Sequence, residues 1–124
     1  MDRKEKTALA VLTFRIVYGF GRMGDDMDYG SRKWKKKREH ILRLDGYKDR
    51  IEAMYGRTVE ATIVHHIYPS EMYPEYEWCD WNLISVSMAT HNRLENRATR
   101  ELTALGLELQ EHIAPGVDWR KKKK

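Results

Sequence analysis

A single cysteine, Cys79, leaves no partner for an internal disulfide and no cysteine pairs for a structural zinc site. A reducing, cytoplasmic setting is the expectation that follows. Long apolar runs are missing too. The nearest approach, residues 8–20, is only 13 residues long and contains Thr13 and Arg15, whereas a bilayer span takes about 20 apolar residues and an internal arginine opposes insertion. It leads into a Gly/Asp-rich stretch rather than a small-residue cleavage site. A buried helix over 8–18 with a loop over 19–30 is expected, and no membrane partner. The charge excess is slight, 23 Lys and Arg against 19 Asp and Glu for a net +4. That favours a polyanion as partner without identifying one. No internal repeat is visible, and 124 residues suit one domain with one modest core.

What is present is a change of periodicity along the chain. Ser31 is placed to cap a helix in which Trp34, Ile41 and Leu42 share a face, and Gly46 to stop it. The other faces carry Arg32, Lys33, Lys35, Lys36, Lys37 and Arg38, the densest basic patch in the chain and one suited to a phosphate backbone. Tyr47, Ile51, Met54 and Tyr55 repeat the helical spacing up to Gly56. From Thr58 the residues become β-branched, which predicts a strand running into His65 and His66, and "LISVS" at 83–87 predicts a second. Ser87 can then cap a helix in which His91, Leu94 and Ala98 share a face, with Arg93 and Arg97 on its first two turns. A last amphipathic helix is expected over 99–113, with Leu102, Leu105, Leu109 and Ile113 inward, before Pro115 and Gly116 end it.

Neighbouring strand residues point to opposite faces, so His65 and His66 can serve one site only where the strand ends, and Pro69 fits such an ending. A neutral imidazole can bind a divalent ion or accept a proton, and roughly three-quarters of unperturbed histidines are neutral at pH 7. By themselves the two read equally well as packed neighbours or as reactive groups. With His91 on the following helix, one ligand from the strand, one from the helix and one free imidazole would make a hydrolytic centre. His40 and His112 lack such companions. Between the strands, Glu71, Glu75, Glu77 and Asp80 read as a solvated acidic loop, with Trp78 and Trp81 anchoring it to the core.

In this order and at this spacing, "VHHIYP", "CDWNLISVS" and "THNRLENR" resemble the His-Asn-His (HNH) motif of the ββα-metal nucleases, with His66, Asn82 and His91 in the three naming positions. The stretch upstream, residues 29–56, resembles the leader of small phage and bacterial HNH endonucleases. The resemblance implies an α+β fold: a ββα-metal (His-Me finger) core at about 58–98, built on a two-stranded antiparallel hairpin and flanked by N- and C-terminal helices. It places an HNH nuclease domain at 31–113, between an N-terminal helix and loop at 1–30 and a basic tail at 114–124.

The resemblance also implies roles. His66 would be the general base, and Asn82 would hold the loop between the strands so that His66 stays oriented. His65 and His91 would ligate one divalent metal ion, Mg, Mn, Zn or Ni, with Asn92 as a secondary ligand. His65 stands where many relatives have aspartate, which favours a borderline ion over Mg²⁺. The implied activity is hydrolysis of DNA phosphodiester bonds, by nicking or cutting, leaving 5′-phosphate and 3′-hydroxyl ends, in a bacterial or phage-infected cytoplasm and by a monomer or homodimer. Arg32, Lys33, Lys35, Lys36, Lys37, Arg38, Arg93 and Arg97 would contact the DNA backbone. Two other functions share these features: a weak or inactive DNA-binding accessory that keeps the fold beside phage packaging machinery, and a nuclease toxin with an immunity partner. Relatives with cysteine pairs gain cohesion from a second zinc; here it falls to the core, for which Tyr47, Ile51, Met54, Tyr55, Leu94 and Leu102 are the expected contributors.

Overall fold

The computed structural model describes residues 28–121. The helix expected at 8–18 and the last three lysines lie outside the described residues. Within them the order is α1 (Arg32–Leu44), α2 (Arg50–Met54), β1 (Ile63–His66), β2 (Leu83–Val86), α3 (Met88–Leu94) and α4 (Ala104–His112), with single 3-10 turns at Pro74–Tyr76 and Asp80–Asn82 between the strands. The strands pair antiparallel, Ile63 opposite Val86 and His66 opposite Leu83. The fold is α+β, with the hairpin-then-helix unit that the sequence predicts.

Local chemistry sets the helix starts. Ser31 accepts the amide of Trp34 at 3.1 Å, Asp49 that of Glu52 at 2.9 Å, Ser87 that of Thr90 at 3.2 Å and Thr103 that of Gly106 at 3.2 Å. Each bond satisfies a donor that the first helical turn leaves unpaired, worth about 1 kcal/mol.

The hairpin is covered on both faces. Val64 and Leu83 pack with Trp34, Ile41 and Leu42 of α1, while Ile84 and Val86 pack with Ile51, Leu94, Leu109 and Ile113. All four residues of β2 are therefore buried, and its sequence LISV shows no clean alternation of apolar and charged residues. Helix α4 runs so close to α3 that a Cβ on Gly106 would meet the Leu94 carbonyl oxygen at 2.3 Å.

Several boundaries differ from the sequence reading. Helix α2 has only five residues, and Tyr47, Met54 and Tyr55 are exposed, leaving Ile51 and Leu94 as core while Leu102 is half-buried. Strand β1 starts at Ile63 rather than Thr58. Helix α3 stops at Leu94, because the Asn96 side-chain oxygen accepts the amides of Ala98 and Thr99 and turns the chain; Arg97 and Ala98 therefore lie beyond the helix. Helix α4 accordingly begins at Ala104, not at 99. The stretch read as a tail packs through Arg120. The Trp119 indole donates to the Trp81 carbonyl at 2.8 Å, and the Arg120 guanidinium donates to Asp45 and to the Asp80 and Leu83 carbonyls. Among the described residues no helix is long and apolar enough to cross a membrane.

Candidate metal centre and general base

Strand β1 ends at His66, and its alternation sends the two histidines to different helices. His65 turns toward α3, where its ring centroid lies 5.4 Å from that of His91. It is 2% exposed, and neither Nδ1 nor Nε2 has a hydrogen-bond partner among the described residues. Burial, together with the neighbouring His91 and His66, lowers its pKa to about 3. His65 is thus a neutral lone-pair donor at any physiological pH. Glu95, at the C-terminal end of α3, places Oε2 3.3 Å from His91 Nε2 and 3.8 Å from His65 Nδ1. One donor atom from each of His65, His91 and Glu95 lies within 4.8 Å of the others.

His66 turns toward α1. Its Nε2 is 3.1 Å from the Glu77 carbonyl oxygen. A carbonyl can only accept, so Nε2 carries the hydrogen and Nδ1 keeps the lone pair. The ring is stacked on Trp34, with centroids 5.2 Å apart and planes at 20°. Burial lowers the His66 pKa, with the Glu77 carbonyl and the Glu95 charge opposing it. Both histidines line one cleft, together with His91, Glu95, Arg38 and Arg100.

Asn82 is fully buried. Its Oδ1 accepts the Tyr68 amide at 2.7 Å, and its Nδ2 donates to the Tyr68 and Tyr76 carbonyls at 3.0 and 3.1 Å. These bonds tie both ends of the inter-strand loop together and fix the residue immediately before Glu77. The carbonyl that orients His66 is therefore held by Asn82 at one remove.

The remaining sequence candidates are placed as follows. Asn92 is exposed and outside the cleft, about 100° round the helix from His91. Arg93 donates to Glu52 Oε1 at 2.9 Å and to Thr90 Oγ1 at 3.1 Å, and Arg97 is exposed in the turn after α3. On α1, Lys37 is paired with Asp80, which also meets His40 Nε2 at 2.9 Å, and the Lys33 ammonium lies 4.0 Å over the Trp78 ring. Arg32, Lys35, Lys36 and Arg38 are exposed. Glu95 is the member of the site that sequence reasoning missed, although its spacing of four from His91 puts both on one helix face.

No protein-family model matches the chain, and no curated protein matches it. Among solved structures, the manganese-containing HNH endonuclease of the deep-sea thermophilic bacteriophage GVE2 is similar over 75% of this chain and 89% of that one, at 25% identity and a TM-score of 0.51. This chain has the fold of an HNH endonuclease. The three residues that carry the sequence resemblance stand around one short hairpin: His66 on β1, Asn82 just before β2, and His91 on the helix that follows.

Proposed function

We propose that this chain is a metal-dependent endonuclease that hydrolyses DNA phosphodiester bonds, leaving 5′-phosphate and 3′-hydroxyl ends. The observation that carries the reading is His65. A buried imidazole with no hydrogen-bond partner among the described residues is costly, and because burial holds the ring neutral, one of its nitrogens offers a lone pair that a cation can take. His65, His91 and Glu95 would hold one divalent cation, and two imidazoles with one carboxylate suit Mn²⁺, Zn²⁺ or Ni²⁺ better than Mg²⁺. The manganese in the GVE2 endonuclease agrees with that donor set. When bound, the ion supplies positive charge to the scissile phosphate and the leaving oxygen.

The other steps belong to the chain. His66 Nδ1 accepts the proton of the attacking water, while Nε2–H stays on the Glu77 carbonyl and keeps the ring from turning. Burial keeps this imidazole neutral, which is the state a proton acceptor needs. Trp34 covers one ring face and Asn82 secures the loop that presents Glu77. The exposed cations of α1 give a surface for the DNA backbone.

Supercoiled plasmid incubated with the protein and Mn²⁺, Mg²⁺, Ni²⁺ or Zn²⁺ tests this directly. Removing a general base costs roughly 10²–10⁴-fold in rate, so His66→Ala should bind Mn²⁺ like wild type yet cut far more slowly. Equal cutting by both proteins refutes the assigned base. Salt-sensitive DNA binding without cutting in any metal selects the accessory role instead.

A further inference from the structure

Among the described residues two non-glycine positions have left-handed backbone, Tyr47 at φ 58° and Arg100 at φ 61°. Bulky L-residues take this conformation at an energetic cost that glycine avoids and asparagine reduces. At Tyr47 the side chain repays it structurally, because the phenol hydroxyl donates to Glu39. Arg100 has no such use. Its turn is closed by other groups: Asn96 Oδ1 accepts two amides, the Asn96 amide donates to the Glu101 carbonyl at 2.8 Å, the Arg100 amide donates to the Asn96 carbonyl at 2.7 Å, and Glu95 bridges to Leu102. None of these bonds needs an arginine side chain. The guanidinium is exposed, forms no ion pair with a described carboxylate, and lines the cleft that holds His65, His66 and Glu95.

Arg38 brings a second exposed guanidinium to the cleft from a different element, without the backbone strain. It lies one turn after Trp34 on α1, is exposed and unpaired among the described residues, and lines the same cleft. Two guanidiniums without a carboxylate partner among the described residues, beside a donor set of two imidazoles and a carboxylate, form a site for an extended polyanion. A guanidinium fork matches phosphate geometry, and a strained position whose side chain forms no ion pair among the described residues points to a ligand.

We propose that Arg100, together with Arg38, grips the DNA strand through backbone phosphates adjacent to the scissile one, so that the strained turn after α3 is a substrate-positioning element. This rests on the endonuclease reading for its substrate. On that basis Arg100 contributes affinity and register, while His66 contributes chemistry.

The test is binding of the full chain to a fluorescent duplex of about 20 base pairs in EDTA, titrated with NaCl. Each phosphate contact contributes about 0.9 to the slope of log affinity against log salt. Arg100→Gly relieves the backbone cost, so its thermal midpoint should equal or exceed that of wild type. Its affinity should nevertheless fall roughly five- to tenfold, with the slope smaller by about 0.9. Arg38→Ala combined with Arg100→Gly should lower the slope by about twice that. Arg100→Asn also tolerates the left-handed turn and carries the same expectation. Wild-type affinity and slope in Arg100→Gly, or in Arg100→Asn, overturn the proposal. Because the assay needs neither metal nor cleavage, a wild type that binds but never cuts refutes the endonuclease alone. A wild type that cuts while Arg100→Gly binds normally refutes Arg100 alone.

Discussion

Arg120 and Asp45, 75 positions apart, form a two-pronged ion pair: Nε donates to Oδ1 at 2.7 Å and a terminal nitrogen to Oδ2 at 3.0 Å. The Asp45 side chain is fully buried beneath the hairpin, where it also accepts the Ser85 amide at 3.0 Å. The C-terminal segment is thereby fastened to the end of α1 and to β2 at one point.

Breaking this pair leaves a buried carboxylate short of partners. Arg120→Ala should cost about 3 kcal/mol, the low end for a broken buried pair, since Arg50 remains 3.6 Å away. Urea unfolding measures it as a lower midpoint at unchanged slope. A loss below about 1 kcal/mol would place the bridge among ordinary surface pairs.

Acid stability should depend on Glu52. Arg57 and Arg93 lower its pKa from 4.5 to about 2. The folded value lies below the unfolded one, so the contribution is complete above about pH 4.5 and is lost as pH falls toward 2. In a thermal-midpoint series, Glu52→Gln should show a shallower decline over that window than wild type. Parallel declines would contradict the assignment.

Metal affinity separates Glu95 from Asn92. Glu95→Gln should weaken Mn²⁺ binding at least about tenfold by calorimetry, as expected when a charged ligand is neutralised. Asn92→Ala should leave it unchanged. The reverse pattern would put Asn92, three positions earlier, in place of Glu95 as the third ligand.

Asn82→Asp replaces two donated hydrogen bonds with a buried carboxylate facing the Tyr68 and Tyr76 carbonyls. It should destabilise the fold by about 2–4 kcal/mol and slow cleavage while sparing Mn²⁺ affinity. A folded Asn82→Asp protein cutting at the wild-type rate would show that Glu77 is held in place by something else.

The chemistry around the hairpin was legible where local signals coincide. Ser31 and Ser87 announce helix starts, the β-branched run announces β1, and His65, His66, Asn82 and His91 carry a motif with order and spacing. Glu95 was obscured because a carboxylate near a helix end reads as solvated surface. Only the four-residue spacing from His91 singles it out. The stop of α3 was hidden for a related reason: the leucines at 94, 102, 105 and 109 keep a helical rhythm across a turn made by the Asn96 side chain. Arg120 was read as part of a basic tail, since nothing in a row of cations reveals that one of them answers an aspartate 75 residues earlier.

Strand β1 has four side chains, and two of them are imidazoles. So short a strand at the centre of so small a domain has no idle position, and each residue given to reactivity is one withdrawn from cohesion. Without cation, His65→Leu should therefore melt at a higher temperature than the natural chain. On the proposed reading, the domain gives up that margin of thermal durability so that a cation can be held at the strand's end.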